Sequence, residues 1–405
     1  MPSSQPSDIF VTGIGIVSAV GRGKAAFLGA LLAGEQRFSV MERPGRQHAT
    51  GFIGAEIPAL DSPDRVAESV LRSASLSARV ALSALAEAWQ DAQLDDLDPS
   101  RIGLVVGGSN LQQRELVLAH ARYADKIHFL RPTYGLSFFD TDICGLCSAA
   151  FGIRGLAFTV GGASASGQLA VIEAAEAVAA GRVDVCIAIG ALMDLSYWEC
   201  QAFTALGAMG STRWANTPAS ACRPFDRDRD GFIYGENCAA VVVERASRRA
   251  APYARLAGWS TVMDANRNPD PSAAGEAAAI RQALGRAGMA APDIDYVNPH
   301  GSGSVAGDPV ELAALHACGL TDAAINTTKS VTGHGLSAAG AVEIVATILQ
   351  LEAGELHPCV NLENPIDPAF DWVVSRRKST SLRNGLTLSF GFGGINTALM
   401  ICKCG

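Results

Sequence analysis

Apolar residues along the chain follow two alternating patterns. Short runs that are apolar at nearly every position predict strands buried on both faces at residues 9–13, 102–107, 183–189, 239–243, 296–298 and 386–390. Between them, apolar positions recur every three to four residues and predict helices at 67–93, 166–180, 273–287, 309–317 and 338–353. Gly181, just past "AVAA", is placed to end the second helix with a left-handed residue. Strands alternating with helices define a layered α/β fold.

The pattern also repeats. "TVGGASASGQLAVIEAAEAVAAG" and "NTTKSVTGHGLSAAGAVEIVATILQLEAG" each read as strand, polar elbow and alanine-rich helix, followed by a strand and a glycine turn. "RIGLVVGGS" and "DIDYVNPHGSG" are likewise strands that end in polar, glycine-rich turns. A duplicated α/β unit follows, with halves at 1–255 and 256–405 and loop insertions at about 110–154 and 210–230 in the first half.

Four glycine-rich turns lie just after strands, where open α/β sheets place their ligands. In the elbow at 161–167, small residues surround Ser164 ahead of a helix, whose free N–H groups favour negative charge. Ser164 is therefore either an exposed hydroxyl beside an oxyanion hole or, like Ser166, a helix cap. "NPHGSGSVAGDPVE" (residues 298–311) projects His300 from a tight turn, with Ser302 and Ser304 facing the same space. There the imidazole is either a structural hydrogen-bonding group or part of a site. "NTTKSVTGHGLSAAGAVE" (326–343) carries Lys329 and His334, with Glu343 as the obvious partner for a buried lysine. "SFGFGGIN" (389–396) combines close backbone approach with the bulk of Phe390 and Phe392, or is merely a glycine-rich bend of a core strand. Taken together, two imidazole donors converging on one carbonyl oxygen would stabilise an enolate, which points to carbanion chemistry beside a thioester.

Composition narrows the class. Hydrophobic residues are 48% and charged residues 18%, enough apolar content for a large core. A net charge of −8 argues against nucleic-acid binding. The N-terminal stretch lacks the basic and apolar regions of a signal peptide, and no uncharged apolar run reaches the roughly 18 residues of a membrane span. The ten cysteines are scattered, some in strand-like runs (Cys186, Cys238), as reduced thiols in a cytoplasmic core would be. Cys144 and Cys147 form one CxxC without the second pair that a zinc site needs, so no metal is expected.

In order, "VTGIGIVSAVG", "RPFDRDRDGFIYGE" (223–236), "HGSGSVAGDPVE", "TKSVTGH" and "SFGFGG" resemble the β-ketoacyl-carrier-protein synthases, the condensing enzymes of the thiolase fold, over nearly the whole chain. The resemblance implies a five-layer αβαβα architecture from two duplicated βαβαβαβ halves, assembled as a homodimer. It implies no cofactor of its own, with substrate carried on the phosphopantetheine arm of an acyl carrier protein. Matched by motif, His300 and His334 resemble the paired catalytic histidines, and Lys329 with Glu343 their supporting ion pair. The backbone N–H groups of Ser164 and Phe392 resemble the oxyanion hole, with Phe392 also in the gate position. Ser302, Ser304 and Phe390 fall where the pantetheine arm runs, the two serines replacing the threonines usual there. An acidic carrier protein calls for a basic patch, and Arg248–Arg249 or Arg376–Lys378 are the candidate clusters.

The large departure is at the elbow. Condensing enzymes carry cysteine where Ser164 stands, because a thiolate is accessible near neutral pH. A serine needs a general base, and both histidines are expected to donate instead. Decarboxylation of a malonyl thioester needs no covalent loading. "FTVGGASASG" and residues 134–155 resemble the serine-containing decarboxylases of polyketide β-branching cassettes. That subgroup implies conversion of malonyl- to acetyl-carrier protein for hydroxymethylglutaryl-synthase-like and enoyl-CoA-hydratase-like partner enzymes. The alternatives are Ser164-dependent acyl transfer or condensation, and a non-catalytic, chain-length-factor-like subunit; such subunits usually lose the histidines kept here.

Overall fold

Alternate side chains of each central strand enter different cores, the period-2 consequence of a strand covered on both faces. The computed structural model describes residues 8–61, 63, 65–245, 251–379 and 382–404. Its first half runs β1 (Ile9–Ser18), α1 (Leu76–Ala92), β2 (Ile102–Gly107), α2 (Thr141–Phe151), β3 (Ala157–Val160), α3 (Ser166–Ala179), β4 (Val185–Gly190) and β5 (Asn237–Glu244). The second repeats that order as β6 (Ala254–Met263), α4 (Ala273–Ala287), β7 (Tyr296–Asn298), α5 (Gly307–Ala317), β8 (Ala324–Ile325), α6 (Ala339–Ala353), β9 (Asn384–Gly391) and β10 (Ile395–Lys403).

The sheet order is β8-β7-β9-β10-β6-β1-β5-β4-β2-β3, a palindrome about the short antiparallel β1–β6 contact, Ile9 opposite Leu256. A short strand, Asp371–Trp372, extends the β8 edge. The four central strands, β5, β1, β6 and β10, each run against both neighbours, whereas β3-β2-β4 and β8-β7-β9 pair in parallel, so the sheet is mixed. Val105, Ala188, Val241 and Val243 face inward to α3 and α6, while Leu104, Val106, Ile187 and Val242 face outward to α1 and α2. In the second half Leu399 and Ile401 face the same inner layer, and Ala398 and Met400 face α4 and α5. Five layers result. The inner helices can touch because Gly167 and Gly340 lie where they cross: a Cβ on Gly167 would come 2.8 Å from the Ala341 nitrogen, and one on Gly340 2.7 Å from the Gln168 Cβ. That crossing brings the two elbows face to face.

The structure corrects some sequence expectations. The single helix expected over 67–93 is two, Glu68–Leu71 and α1, because the Ser75 hydroxyl accepts the Ala78 N–H and restarts the helix. β5 is the strand expected at 239–243, whereas β6 and β10 are strands the apolar pattern did not predict. The segment expected as a loop at 110–154 is largely helical, with Gln113–Tyr123 and α2. Gly181 adopts the expected left-handed conformation, φ +70°. We place the junction between halves at about residue 255, where β6 begins. Leu336–Ala353, which includes α6, has the length and hydropathy of a membrane span, yet 89% of it is buried inside the protein as a core helix.

Candidate active site

The elbow after β3 is tied by Ser166 rather than Ser164. Its hydroxyl accepts the Gly162 N–H at 2.9 Å and donates to the Ala163 carbonyl at 2.7 Å. Ala163 is held at φ +47°, a conformation non-glycine residues rarely adopt and one that tends to occur at functional turns. The hydroxyl of Ser164 takes no part in tying the turn, and its Oγ lies in hydrogen-bond reach of His334 Nε2, at 3.1 Å. Gly391, at the end of β9, closes against the same elbow; a Cβ there would be 2.2 Å from the Gly162 carbonyl oxygen.

Hydrogen bonds fix which nitrogen of each imidazole carries the proton. His334 Nδ1 accepts the Leu336 N–H at 3.2 Å, so its proton is on Nε2 and points at Ser164. His300 Nδ1 lies 3.5 Å from the Lys329 ammonium, which has only protons to offer, so His300 likewise presents an Nε2 proton. Lys329 also donates to the His300 carbonyl and to Glu343. The two rings stand edge-to-face, centroids 5.4 Å apart. Burial, reinforced by the Lys329 charge, holds both histidines well below their ordinary pKa, so both are neutral donors.

The motif at 223–236 is the frame of both histidine turns. The His334 N–H donates to the Ile233 carbonyl at 2.7 Å, and the Gly235 N–H donates to the His334 carbonyl. Arg229 donates to the carbonyls of Ser304 and Val305 on the other turn. Two carboxylates that sequence reasoning did not single out complete the frame. Asp308 accepts the N–H groups of Phe225 and Gly303, and Glu311 accepts those of His300 and Gly301. Their spacing along α5, with a glycine turn just before it, is the signal that could have found them.

A cleft opens beside His300, lined among others by Ser302, Ser304, Phe390, Phe392, Asp264 and Glu276. The Phe390 ring is 5.8 Å from His300, and the exposed Phe392 is 6.5 Å from Phe203. The Ser304 hydroxyl accepts the Gly307 N–H at the start of α5, and that of Ser302 accepts the Ser304 N–H. The sequence-derived site residues thus gather around the elbow and the adjoining cleft, with Lys329 and Glu343 buried behind His300. The basic cluster at 376–378 is not among the residues that line the cleft. Arg376 and Lys378 pair with Glu355 and Arg377 with Asp371, while Arg248 and Arg249 lie outside the described residues. Cys144 and Cys147 are buried along α2, and burial pushes both thiols up in pKa, so they pack as apolar groups.

A duplicated five-layer fold with two neutral imidazole donors at a strand–helix elbow defines the thiolase-like class. The chain belongs to the beta-ketoacyl synthase family: residues 6–249 match its N-terminal domain and residues 253–363 its C-terminal domain. It is 57% identical, over 98% of both chains, to the "Polyketide biosynthesis malonyl-ACP decarboxylase PksF" of Bacillus subtilis (strain 168). It is 33% identical to the 3-oxoacyl-[acyl-carrier-protein] synthase 1 of Haemophilus influenzae, over 96% of this chain and 97% of that one. Among solved structures, a beta-ketoacyl synthase from Burkholderia phymatum STM815 superposes with a TM-score of 0.88 at 27% identity, covering 98% of this chain and all (100%) of that one. A type II polyketide acyl-carrier protein in complex with its ketosynthase gives a TM-score of 0.86 at 27% identity, covering 99% of this chain and 100% of that one.

Proposed function

We propose that the protein decarboxylates malonyl-ACP to acetyl-ACP in polyketide biosynthesis, without acylating Ser164. The observation that carries this reading is the protonation of His334. Its Nδ1 is occupied by the Leu336 N–H, so the nitrogen facing Ser164 is a donor and cannot take the serine proton. With no base the hydroxyl stays a poor nucleophile. The same Nε2 proton, with that of His300, suits an enolate oxygen.

In this reading the malonyl thioester enters along the cleft past Ser302, Ser304 and Phe390, with Phe392 as gate. Its carbonyl oxygen lies against His300 and His334, and the bond to the carboxylate breaks to release carbon dioxide. The electron pair moves onto that oxygen, where the two imidazoles hold it. Lys329 and Glu343 keep His300 in register. The backbone N–H groups of Ser164 and Phe392 form the family's oxyanion hole. A cytoplasmic homodimer is part of the proposal: β3 is an outer strand of the sheet, and Phe129, Leu136, Phe138 and Phe139 are exposed in the segment preceding it. The acetyl-carrier protein then supplies a hydroxymethylglutaryl-synthase-like enzyme and, after it, an enoyl-CoA-hydratase-like one.

The test is purified protein with malonyl-loaded carrier protein, followed by mass of the thioester arm. Loss of carbon dioxide without chain extension or a mass gain on Ser164 is expected. Ser164→Ala should keep decarboxylating within about threefold, since the hydroxyl bonds neither broken nor formed atoms. Complete inactivity of that variant, or an acyl-serine accumulating during turnover, would overturn the reading. Ser164→Cys, tested with an acyl-loaded carrier protein, should gain a covalent acyl adduct, because a thiol at this helix start ionises far more readily.

A further inference from the structure

Decarboxylation leaves an enolate carbon that must receive one proton, and the groups that hold the enolate oxygen are unsuited to giving it. His300 and His334 are neutral, so yielding the Nε2 proton would leave an imidazolate. The Lys329 protons are engaged by Glu343 and the His300 carbonyl. The cleft beside His300 is lined by further carboxyls, and most of these are committed as acceptors. Glu311 takes the His300 and Gly301 N–H groups, Asp308 those of Phe225 and Gly303, and Asp264 the Asn396 amide at 2.9 Å. Asp270 is exposed at the rim.

Glu276 differs from all of these. It stands in the first turn of α4, lines the cleft, is only 2% exposed, and its Oε2 has no hydrogen-bond partner among the described residues. We infer that Glu276 is the acid of the cleft: as a neutral carboxylic acid it delivers the proton, directly or through one water, to the enolate carbon and is reprotonated from solvent. The step balances. The malonyl carboxylate leaves as carbon dioxide, its electron pair passes through the enolate to a new C–H bond, and Glu276 loses one proton and regains one. This rests on the decarboxylase reading above.

Electrostatics agree with the placement. A helix N-terminus favours an anion, but burial, with Glu311, Asp264 and Asp308 facing it, pushes the Glu276 carboxyl up to about 9. The other charged or titratable groups around the cleft are Asp270 at its rim, His300, with Lys329 behind it, and Arg229 beside Asp308. Burial also raises Glu311 to about 8 and Asp308 to about 6, yet their oxygens are taken by backbone donors. The protonated form of Glu276 is present at neutral pH and is lost as pH rises through about 9.

The test compares wild type, Glu276→Gln and Glu276→Asp with malonyl-loaded carrier protein, in the presence of ¹³C-labelled carbon dioxide and across the neutral to alkaline range. Wild type should slow as pH rises through about 9. Glu276→Gln should be about 100-fold slower and lack that alkaline limb. It should also return more label into unreacted malonyl thioester per turnover, because an enolate protonated slowly has time to recapture carbon dioxide. Glu276→Asp should recover part of the rate. The glutamine is isosteric and needs no proton uptake on folding, so its thermal midpoint should not fall. A Glu276→Gln enzyme equal to wild type in rate and pH profile would overturn the inference, as would a slow one without raised label exchange. If wild type itself forms no acetyl thioester, the decarboxylase reading fails first and this one with it.

Discussion

His334→Ala and His300→Ala should each slow acetyl-ACP formation by about 100- to 1,000-fold, the loss expected when one preorganised donor is removed from a developing oxyanion. Each imidazole is set in advance, His334 by the Leu336 N–H and His300 by Lys329, so no reorganisation is needed as charge moves onto the thioester oxygen. The effect should fall on kcat, since the donors bind the enolate more strongly than the neutral carbonyl. Glutamine gives a sharper comparison than alanine. Its side-chain N–H can donate but cannot act as base, so His334→Gln should recover part of the rate lost in His334→Ala. Equal loss in both would mean that His334 transfers protons. The pH profile adds a second check. Burial and Lys329 hold both histidines well below 6.5, so each stays neutral as pH falls through that value. The rate should therefore show no limb near 6.5; a limb there would mean that an imidazolium is part of the working site.

How far this site could be read from sequence depended on where each residue's role resides. His300, Lys329 and His334 follow short strands or sit in glycine-rich turns, and such local signals survive without a partner in view. Ser164 and Ser166 were not separable in the same way. Both stand at a helix start, and only the bonds from Ser166 to Gly162 and Ala163 show which one ties the turn. Glu276 and Asp308 read as ordinary acids in the first turn of a helix. Their burial comes from the packing of α4 and α5 beneath the His300 turn, which no local pattern encodes. At fold level, β6 escaped because a register shift between Leu256 and Gly258 interrupts its alternation, and β10 because the glycines before it read as an end rather than a hairpin. The doubly buried strands were legible for the opposite reason, as runs apolar at nearly every position.

The Lys329–Glu343 pair should respond asymmetrically to losing one member. Both side chains are about 1% exposed, and the pair sits behind the His300 turn at the start of α6. Glu343→Ala leaves an ammonium without its counter-charge in the interior, a change that costs about 3–5 kcal/mol. Lys329→Met leaves a carboxyl that has an escape, because burial already pushes Glu343 up to about 7 even with the lysine beside it. Without Lys329 that group should take up a proton and stay neutral, so at neutral pH Lys329→Met should be the more stable of the two variants. The sign of the pH dependence follows from the same shift. A carboxyl whose folded pKa exceeds its ordinary value of 4.5 contributes stability that is fully present below 4.5 and is lost as pH rises through the folded value. Stability of Lys329→Met should thus decline with rising pH over a wider range than in wild type, where the decline ends near 7. Urea unfolding at a series of pH values measures both effects. Equal destabilisation of the two variants, with no pH dependence in Lys329→Met, would mean that the pair is held by packing and hydrogen bonds rather than by charge. Both variants should also lose decarboxylation, because the His300 carbonyl and Nδ1 share the ammonium that Glu343 positions.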